Sequence, residues 1–365
     1  MTFLGRFLDR LLGRGDWSIT LPVLDGPLLP NQALEEAETF ATLEAADNLV
    51  ASGKHLYASS GNCLHRYPES GGPGEVVEDY GRRVCALAGA KDMLAVGIDG
   101  CGVVIRGGPH DGRSFSEAEG RSFGAVTALA FFDADTLLMA NGSGEVGAGE
   151  WRRDLMRKGS SGSIWKLDLR TGAVQNLADG LAWPAGIAVT GSSIVYLSEA
   201  WRHRILSLDI ATGELRPVLE HLPAYPARIA PAYNAGYWLS FYSIRNQLVE
   251  FILREDGFRT RMLEEVPEPF WMAPSLASGQ DFREPMQGSQ LKQMGVLKPY
   301  ATTRSYGLVV ACNARMQPYA SFHSRADGSA HGTVSACEMG DDLMVASRGG
   351  GRILRLSAVA GGKSG

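Results

Sequence analysis

The feature that most constrains this chain is a repeated pattern of short apolar strands. Residues 49–67 read as an apolar strand, a turn at Ser52 and Gly53, a second strand, a glycine turn and a third strand. Alternating apolar and polar residues, separated by Gly, Asn or Asp, are typical of half-buried strands joined by tight turns. Stretches with the same order begin at Val84, Val126, Gly186, Arg228 and Val334.

Six such units predict one closed all-β domain, although 365 residues exceed the length of an ordinary domain. A unit of three or four strands cannot bury both of its faces alone, whereas units arranged radially cover one another. We therefore predict a six-bladed β-propeller over residues 17–360. The strand-like segment Ser18 to Leu24 is expected to supply an outer strand that closes the ring against the last blade.

The spacing of the units places a long loop insertion before the last blade. The interval from Arg228 to Val334 is much longer than the other intervals, and residues 267–303 within it are rich in Pro, Gly, Gln and Met. Loops of this length are more often functional lids than idle connectors, and disorder is the alternative. We predict a lid over a ligand pocket. Its apolar contacts are predicted to be Trp271, Met272, Phe282, Met286 and Met294.

Residues 1–16 predict an amphipathic helix ahead of the propeller. Charged residues interrupt the apolar ones well short of a signal-peptide core or a membrane span. Residues 1–15 are expected either to pack on the propeller or a protein partner, or to contact a membrane surface peripherally. The apolar residues at helical spacing are Phe3, Leu4, Phe7, Leu8, Leu11 and Leu12.

Charge and cysteine content narrow the partners and the compartment. The formal net charge of −5 disfavours nucleic acid as a partner, because nucleic-acid binding rests on clustered Lys and Arg. The five cysteines are scattered and form no CxxC pair, so free thiols in a reducing compartment are expected, with a single disulfide as the alternative. We expect a cytoplasmic protein, or one peripherally bound to a membrane, with a small-molecule ligand.

Common catalytic motifs are absent from the sequence. There is no P-loop, no HExxH and no GxSxG, and the GSGEVG run at residues 142–147 lacks a surrounding βαβ unit. Two residues are candidates for acid–base chemistry: His331, before the last blade, and Glu199, at the end of an apolar strand. The alternative is a structural role, in which Glu199 accepts hydrogen bonds from backbone groups or from Arg.

Several stretches carry a family resemblance. Residues 161–189, 196–210, 222–242 and 320–328 resemble the strictosidine-synthase-like proteins, and the order of the segments matches over nearly all of the chain after Asp25. That superfamily includes plant enzymes that condense an amine with an aldehyde, and it is related to calcium-dependent paraoxonases and gluconolactonases, which open lactones or esters. The resemblance implies a six-bladed propeller with its site at the mouth of the central channel.

The resemblance also implies which activities are not expected. The catalytic Glu of the plant synthases aligns with Val334, so amine–aldehyde condensation is not expected. The calcium hydrolases gather oxygen donors at the starts of the inner strands, where this chain has Asp47 and Asn48 but also Ala185, Ala227 and Thr127 in place of donors of the family. We therefore expect no metal or other cofactor, and a residual calcium site would rest on Asp47 and Asn48.

The resulting hypothesis is a metal-independent hydrolase of lactones or esters, or a related enzyme. The alternative is a non-catalytic propeller that binds a small molecule or acts as a scaffold. Arg228 is predicted to stand in place of the metal, to neutralise Asp47 and to offer its other donors to a carboxylate or carbonyl oxygen, unless it turns outward. The predicted ligand-binding residues are Asp47, Asn48, Thr127, Trp183, Tyr225 and Arg228.

Overall fold

Six four-stranded antiparallel sheets form the body of the molecule. The computed structural model describes residues 21–279, 281–285, 292–293, 296–297 and 303–357. The innermost strands of the sheets surround a central channel, and each sheet packs face to face on its two neighbours. The predicted all-β, six-bladed β-propeller is confirmed.

The blades follow the chain from the inner strand outward. Blade one comprises β2 (Ala46–Ser52), β3 (His55–Ser60), β4 (Cys63–Pro68) and β5 (Glu75–Asp79). Blade two comprises β6 (Val84–Ala90), β7 (Met93–Ile98), β8 (Gly102–Arg106) and β9 (Ser114–Phe115). A two-stranded hairpin, β10 (Glu117–Ala118) and β11 (Arg121–Ser122), leads to blade three, which comprises β12 (Val126–Phe131), β13 (Thr136–Asn141), β14 (Gly162–Asp168) and β15 (Val174–Leu181).

The remaining blades follow the same order. Blade four comprises β16 (Pro184–Val189), β17 (Ile194–Glu199), β18 (Arg204–Asp209) and β19 (Leu215–Leu219). Blade five comprises β20 (Ala224–Pro231), β21 (Tyr237–Ile244), β24 (Leu308–Cys312) and β25 (Pro318–His323), and the short hairpin β22 (Lys292–Gln293) and β23 (Val296–Leu297) lies between its halves. Blade six comprises β26 (Thr333–Met339), β27 (Asp342–Ser347), β28 (Arg352–Leu356) and β1 (Glu38–Thr42).

Burial decreases from the inner strands to the outer ones. Five of the six residues of β16 are buried, whereas β5 and β1 contain no buried residue. Inner strands are covered by two neighbouring blades and therefore read as nearly continuous apolar runs, while outer strands can alternate with polar residues. A separate apolar core fills each of the six spaces between blades, which is what the ring arrangement requires.

An N-terminal strand closes the ring, at a different place from the one the sequence suggested. The closing strand is β1, at residues 38–42, and it pairs antiparallel with β28. The described part of the segment expected to close the ring, residues 21–24, forms no strand. Ahead of β1, the short helix α1 (Ala33–Glu36) and a 3-10 turn at Gly26–Leu28 pack against β25.

The insertion lies inside blade five, between β21 and β24, and not between blades five and six. It begins with two helices, α3 (Gln247–Ile252) and α4 (Asp256–Glu265), and a 3-10 turn at Glu268–Phe270. The strand order of the unit that begins at Arg228 would place its third strand at residues 247–252, but the Asn246 side chain accepts a hydrogen bond from the Leu248 amide and begins a helix there.

Two further helical segments lie outside the blades' strands. The helix α2 (Trp151–Arg157) and a 3-10 turn at Ala148–Glu150 connect β13 to β14.

Two predicted features lie outside the described residues: the helix at residues 1–16, and the lid residues Met286 and Met294. Among the helices that are described, none has the length and apolar character needed to cross a bilayer.

Candidate functional site

Three arginines from three blades converge on the carboxylate of Asp47. Asp47 lies on β2, Arg83 directly precedes β6, Arg228 lies on β20 and Arg348 directly follows β27. Arg228 Nη1 donates to Asp47 Oδ1 at 2.8 Å, and Arg83 Nη2 and Arg348 Nη1 donate to Oδ2 at 2.9 and 3.0 Å. We call these four residues the Asp47 cluster, and it lies where the inner strands begin.

The Asp47 cluster carries an excess of positive charge in a buried place. Burial opposes ionisation of Asp47, but the attraction of Arg228, Arg348 and Arg83 outweighs it and lowers the pKa of this carboxyl below its ordinary value. Burial and repulsion by the other two guanidiniums lower the pKa of Arg348 to about 10, which leaves this arginine charged at neutral pH. One carboxylate facing three guanidiniums leaves the cluster suited to an anion or a carbonyl oxygen.

The Arg228 side chain crosses the channel axis. Besides Asp47, its Nη1 donates to the Val334 carbonyl at 3.2 Å and its Nη2 donates to the Cys85 carbonyl at 2.8 Å. Those two carbonyls belong to the inner strands of blades six and two, so the guanidinium links its own strand in blade five to the inner strands of blades one, two and six. Its Nε is buried and has no hydrogen-bond partner among the described residues.

An aromatic layer covers the Asp47 cluster on the side of the strand starts. Trp183 Nε1 donates to the Tyr242 hydroxyl at 3.2 Å, and Tyr242 stacks on Trp151 with ring centroids 5.3 Å apart. The cavity left beneath these rings has a volume of only about 20 Å³, room for roughly one water molecule. On the face where the resemblance locates the site, the described residues therefore leave only a narrow space, and Arg83 and Arg348 keep 24% and 19% of their side chains exposed.

The insertion contributes to this aromatic layer. Trp271, from the predicted lid, is buried in the same apolar cluster as Trp151, Trp183 and Tyr242, and Met272 packs against that cluster. Phe282, in contrast, is 92% exposed. The described part of the insertion therefore lies on the face of the propeller where the inner strands begin, and its opening as a lid stays a prediction.

These residues do not fit a calcium ion. Asp47 already accepts from three permanent cations, and Ala185 and Ala227 supply no side-chain oxygen. Where blade four approaches blade five, Gly186 has no room for a larger residue, because an added Cβ would lie 2.7 Å from the Ala227 carbonyl oxygen. Within the described ranges, no group of three or more His, Cys, Asp or Glu side chains could hold a metal.

The structure brings together only some of the predicted ligand-binding residues. Asp47, Thr127, Trp183 and Arg228 line the small cavity. Asn48 is buried away from it, with its Nδ2 donating to Ser59 Oγ at 2.8 Å. Tyr225 is buried in the aromatic layer and its hydroxyl donates to Glu250 Oε1 at 3.1 Å. Sequence reasoning missed Arg83, Arg348, Trp151 and Tyr242.

The acid–base candidate His331 lies in a saturated hydrogen-bond chain. Its Nε2 donates to the Arg325 carbonyl at 2.7 Å, and its Nδ1 accepts from Ser305 Oγ at 2.7 Å. Burial lowers the pKa of His331 and favours the neutral ring. Neither ring nitrogen is free to exchange a proton with a ligand in this arrangement, and His331 does not line the cavity at the Asp47 cluster.

Glu199 is the last residue of β17 in blade four, and three protein groups donate hydrogen bonds to its carboxylate. Its Oε1 accepts from the Ala182 amide at 2.7 Å and from Arg202 at 2.6 Å, and its Oε2 accepts from Arg204 at 2.5 Å. The carboxylate is fully buried, while both arginines are partly exposed. These contacts match the structural alternative, in which Glu199 fixes the turn between β15 and β16.

We therefore expect Glu199→Gln to weaken the fold without changing ligand binding. The amide keeps the size of the side chain but loses two charge-assisted hydrogen bonds to partly solvated arginines, so the free energy of unfolding should fall by about 1–2 kcal/mol. Urea unfolding monitored by tryptophan fluorescence measures this change. Loss of binding or activity in a variant of wild-type stability would instead assign Glu199 a chemical role.

A second, larger cavity lies on the other side of Arg228. It occupies the central channel, has a volume of about 320 Å³ and is lined by all six inner strands. Its walls are mainly aliphatic, with Leu49, Leu87, Leu129 and Ile187 among them. Arg228 is the one described residue that lines both this channel cavity and the small cavity at the Asp47 cluster.

Comparison with known proteins identifies the fold but no family. No known family profile matches the sequence, and no curated protein is detectably similar to it. Among solved structures, the calcium-binding protein regucalcin from Agrobacterium tumefaciens strain C58 is similar, with 12% identity, 88% of this chain and 93% of that chain covered, and a TM-score of 0.54. A gluconolactonase from Xanthomonas campestris is similar at 11% identity, with 87% and 88% covered and a TM-score of 0.54.

These similarities support the propeller fold. The alignments with regucalcin and with the gluconolactonase cover 88% and 87% of this chain, so the shared architecture extends over nearly all of it. At this level of identity the similarity shows the fold alone. Membership of the strictosidine-synthase-like family stays a prediction from the sequence.

Proposed function

We propose that this protein binds a small molecule bearing a carboxylate or carbonyl group, and that Arg228 recognises that group without a metal. The observation that carries the proposal is the convergence of Arg83, Arg228 and Arg348 on the single carboxylate of Asp47. A guanidinium with donors to spare in a poorly solvated site binds a carboxylate by short, charge-assisted hydrogen bonds. The function is therefore ligand binding in the central channel.

Metal-independent hydrolysis of a lactone or ester is the second candidate. Arg228 keeps donors free of protein acceptors, and such donors can polarise a carbonyl oxygen and stabilise a developing oxyanion. The reaction also needs a base. Asp47 is a weak base, because its three arginine partners lower the pKa of its carboxyl and so disfavour proton uptake. The neighbouring Cys85 is a poor nucleophile, because burial raises the pKa of its thiol. The geometry thus favours binding over catalysis.

Calorimetry with gluconate, lactate and benzoate tests the proposal. At least one of these carboxylates should bind, and Arg228→Met should weaken its binding about tenfold or more, as expected for a lost charge-assisted hydrogen bond. The control is Arg216→Met, which removes an exposed arginine of β19 that pairs with Glu214. Equal binding by the Arg228→Met and wild-type proteins would refute the proposal.

The same samples separate the alternatives. Calcium chloride should give no submicromolar binding to the wild-type protein, because a cation beside Arg228 is repelled. Hydrolysis of glucono-δ-lactone that persists in a chelator and is lost in Arg228→Met would establish the second candidate. Chelator-sensitive hydrolysis would overturn both, since it would require a metal at a site whose residues do not fit one.

A further inference from the structure

The channel cavity differs in character from the Asp47 cluster at its inner end. Its wall is mainly aliphatic, apart from Ser335, whose hydroxyl accepts from the Leu49 amide, and its charged side chains lie at the two ends. Arg228 stands at the inner end, while Tyr233 and Glu338 stand at the outer end. Tyr233 is 75% exposed and Gly89, also in the lining, is exposed, so the outer end meets solvent on the face opposite to the aromatic layer.

Glu338 is held against the wall at that outer end. Its Oε1 accepts from Trp238 Nε1 at 2.9 Å and its Oε2 accepts from the Tyr233 amide at 2.5 Å. Both carboxylate oxygens are thus engaged by blade five. The apolar stretch between Glu338 and Arg228 is left without a charged group among the described lining residues.

Arg228 lines the inner end of the channel and carries hydrogen-bond donors that no described residue accepts. Arg228 Nη1 makes two hydrogen bonds and Nη2 makes one, so Nε and one hydrogen of Nη2 have no acceptor in the described part of the chain. A buried donor without a partner is unfavourable, and a carboxylate oxygen is its best complement. On the opposite side, the roughly 20 Å³ cavity is too small for more than a water molecule.

The channel's dimensions suit a short aliphatic chain. Residues 128–131 line it along β12, and four strand residues span about 10 Å at the usual rise per residue. Burying each methylene group against such a wall should tighten binding about fourfold. A ligand with one charged end and one apolar chain matches both the guanidinium and the wall.

We propose that the central channel binds a medium-chain aliphatic carboxylate, which enters from the face opposite to the aromatic layer and places its carboxylate against Arg228. This proposal rests on the proposed function and adds the ligand class and the direction of access. The aromatic layer of Trp151, Trp183 and Tyr242 then acts as the closed end of the site, and the apolar wall selects for the chain.

Titration of the full chain with octanoate, acetate and octanol tests the ligand class. Octanoate should bind at one site at least about tenfold more tightly than acetate, because its chain buries methylene groups that acetate lacks. It should also bind at least about tenfold more tightly than octanol, which cannot accept a charge-assisted pair of hydrogen bonds. Arg228→Met should abolish the preference over octanol, and Arg216→Met should not.

Two bulky substitutions test the direction of access and leave the Asp47 cluster untouched. Ala51→Trp and Val189→Trp each narrow the outer half of the channel from a different blade, and each should weaken octanoate binding about tenfold or more. Met272→Ala, in the layer over the opposite face, should leave it unchanged. Thermal unfolding of every variant shows that the protein still folds.

The outcomes separate this inference from the proposed function. If gluconate, lactate or benzoate binds through Arg228 but octanoate gains nothing over acetate, the aliphatic ligand class is wrong and the proposed function stands. Octanoate binding that survives both bulky substitutions but changes in Met272→Ala would overturn the direction of access. If no carboxylate binds at all, both proposals fail.

Discussion

Replacing Asp47 with Ala is expected to lower the free energy of unfolding by about 3–5 kcal/mol, because it leaves buried charges without their partner. In the wild-type protein one carboxylate accepts from Arg83, Arg228 and Arg348 at 2.8–3.0 Å. Without it, three guanidiniums repel one another across the channel. Equilibrium unfolding in urea measures the change.

The control for this variant is Asp179→Ala. Asp179 also pairs with an arginine, Arg121, but both side chains are about half exposed, and such a pair contributes less than about 1 kcal/mol. A double variant that combines Asp47→Ala with Arg348→Met should recover part of the lost stability, because fewer like charges remain. An Asp47→Ala protein as stable as Asp179→Ala would show that the cluster is well solvated.

Stability is also expected to fall as the pH drops below about 6.5, because His203 is buried in its neutral form. Burial and Arg245 lower the pKa of His203 to about 3, against the opposing effect of Glu250. In the unfolded chain the ring takes up a proton near pH 6.5, so its contribution is complete above that pH and is lost toward pH 3. The loss should reach about 2 kcal/mol at pH 5 from this residue alone.

Other buried groups modify this acid response. Burial lowers the pKa of His323 to about 4 and also lowers that of His331, so both act in the same direction as His203. Asp154 acts in the opposite direction, because burial raises its pKa. Urea unfolding at pH 7.5 and pH 5 should show a smaller pH effect in His203→Gln than in the wild type, and an unchanged effect in the control His55→Gln. A wild-type stability independent of pH in this range would contradict the prediction.

The architecture could be predicted from the sequence because each blade repeats the same local pattern. The first strands were expected at Val84 and Val126, where β6 and β12 begin. The insertion was harder to place, because the apolar run of residues 247–252 suits a strand as well as a helix. The deciding signal was Asn246, a preferred helix-capping residue directly before the run.

The candidate site could be predicted only in part. Asp47 and Arg228 were identified through their positions at the starts of inner strands, and the structure places them in contact. Arg83 occupies a comparable position, directly before β6, so that signal was available and was not used. Arg348 follows the second strand of its blade, and only the closed ring brings it to Asp47, 301 residues away.

The pairing of β1 with β28 has a consequence for how the protein is made. Blade six takes its outermost strand from residues 38–42 and its other strands from residues 333–356, so a ribosome must release the last strand before the circle can close. Until then the nascent chain exposes the faces of blades one and five that blade six covers. Exposed apolar faces of this kind favour aggregation until the ring is closed.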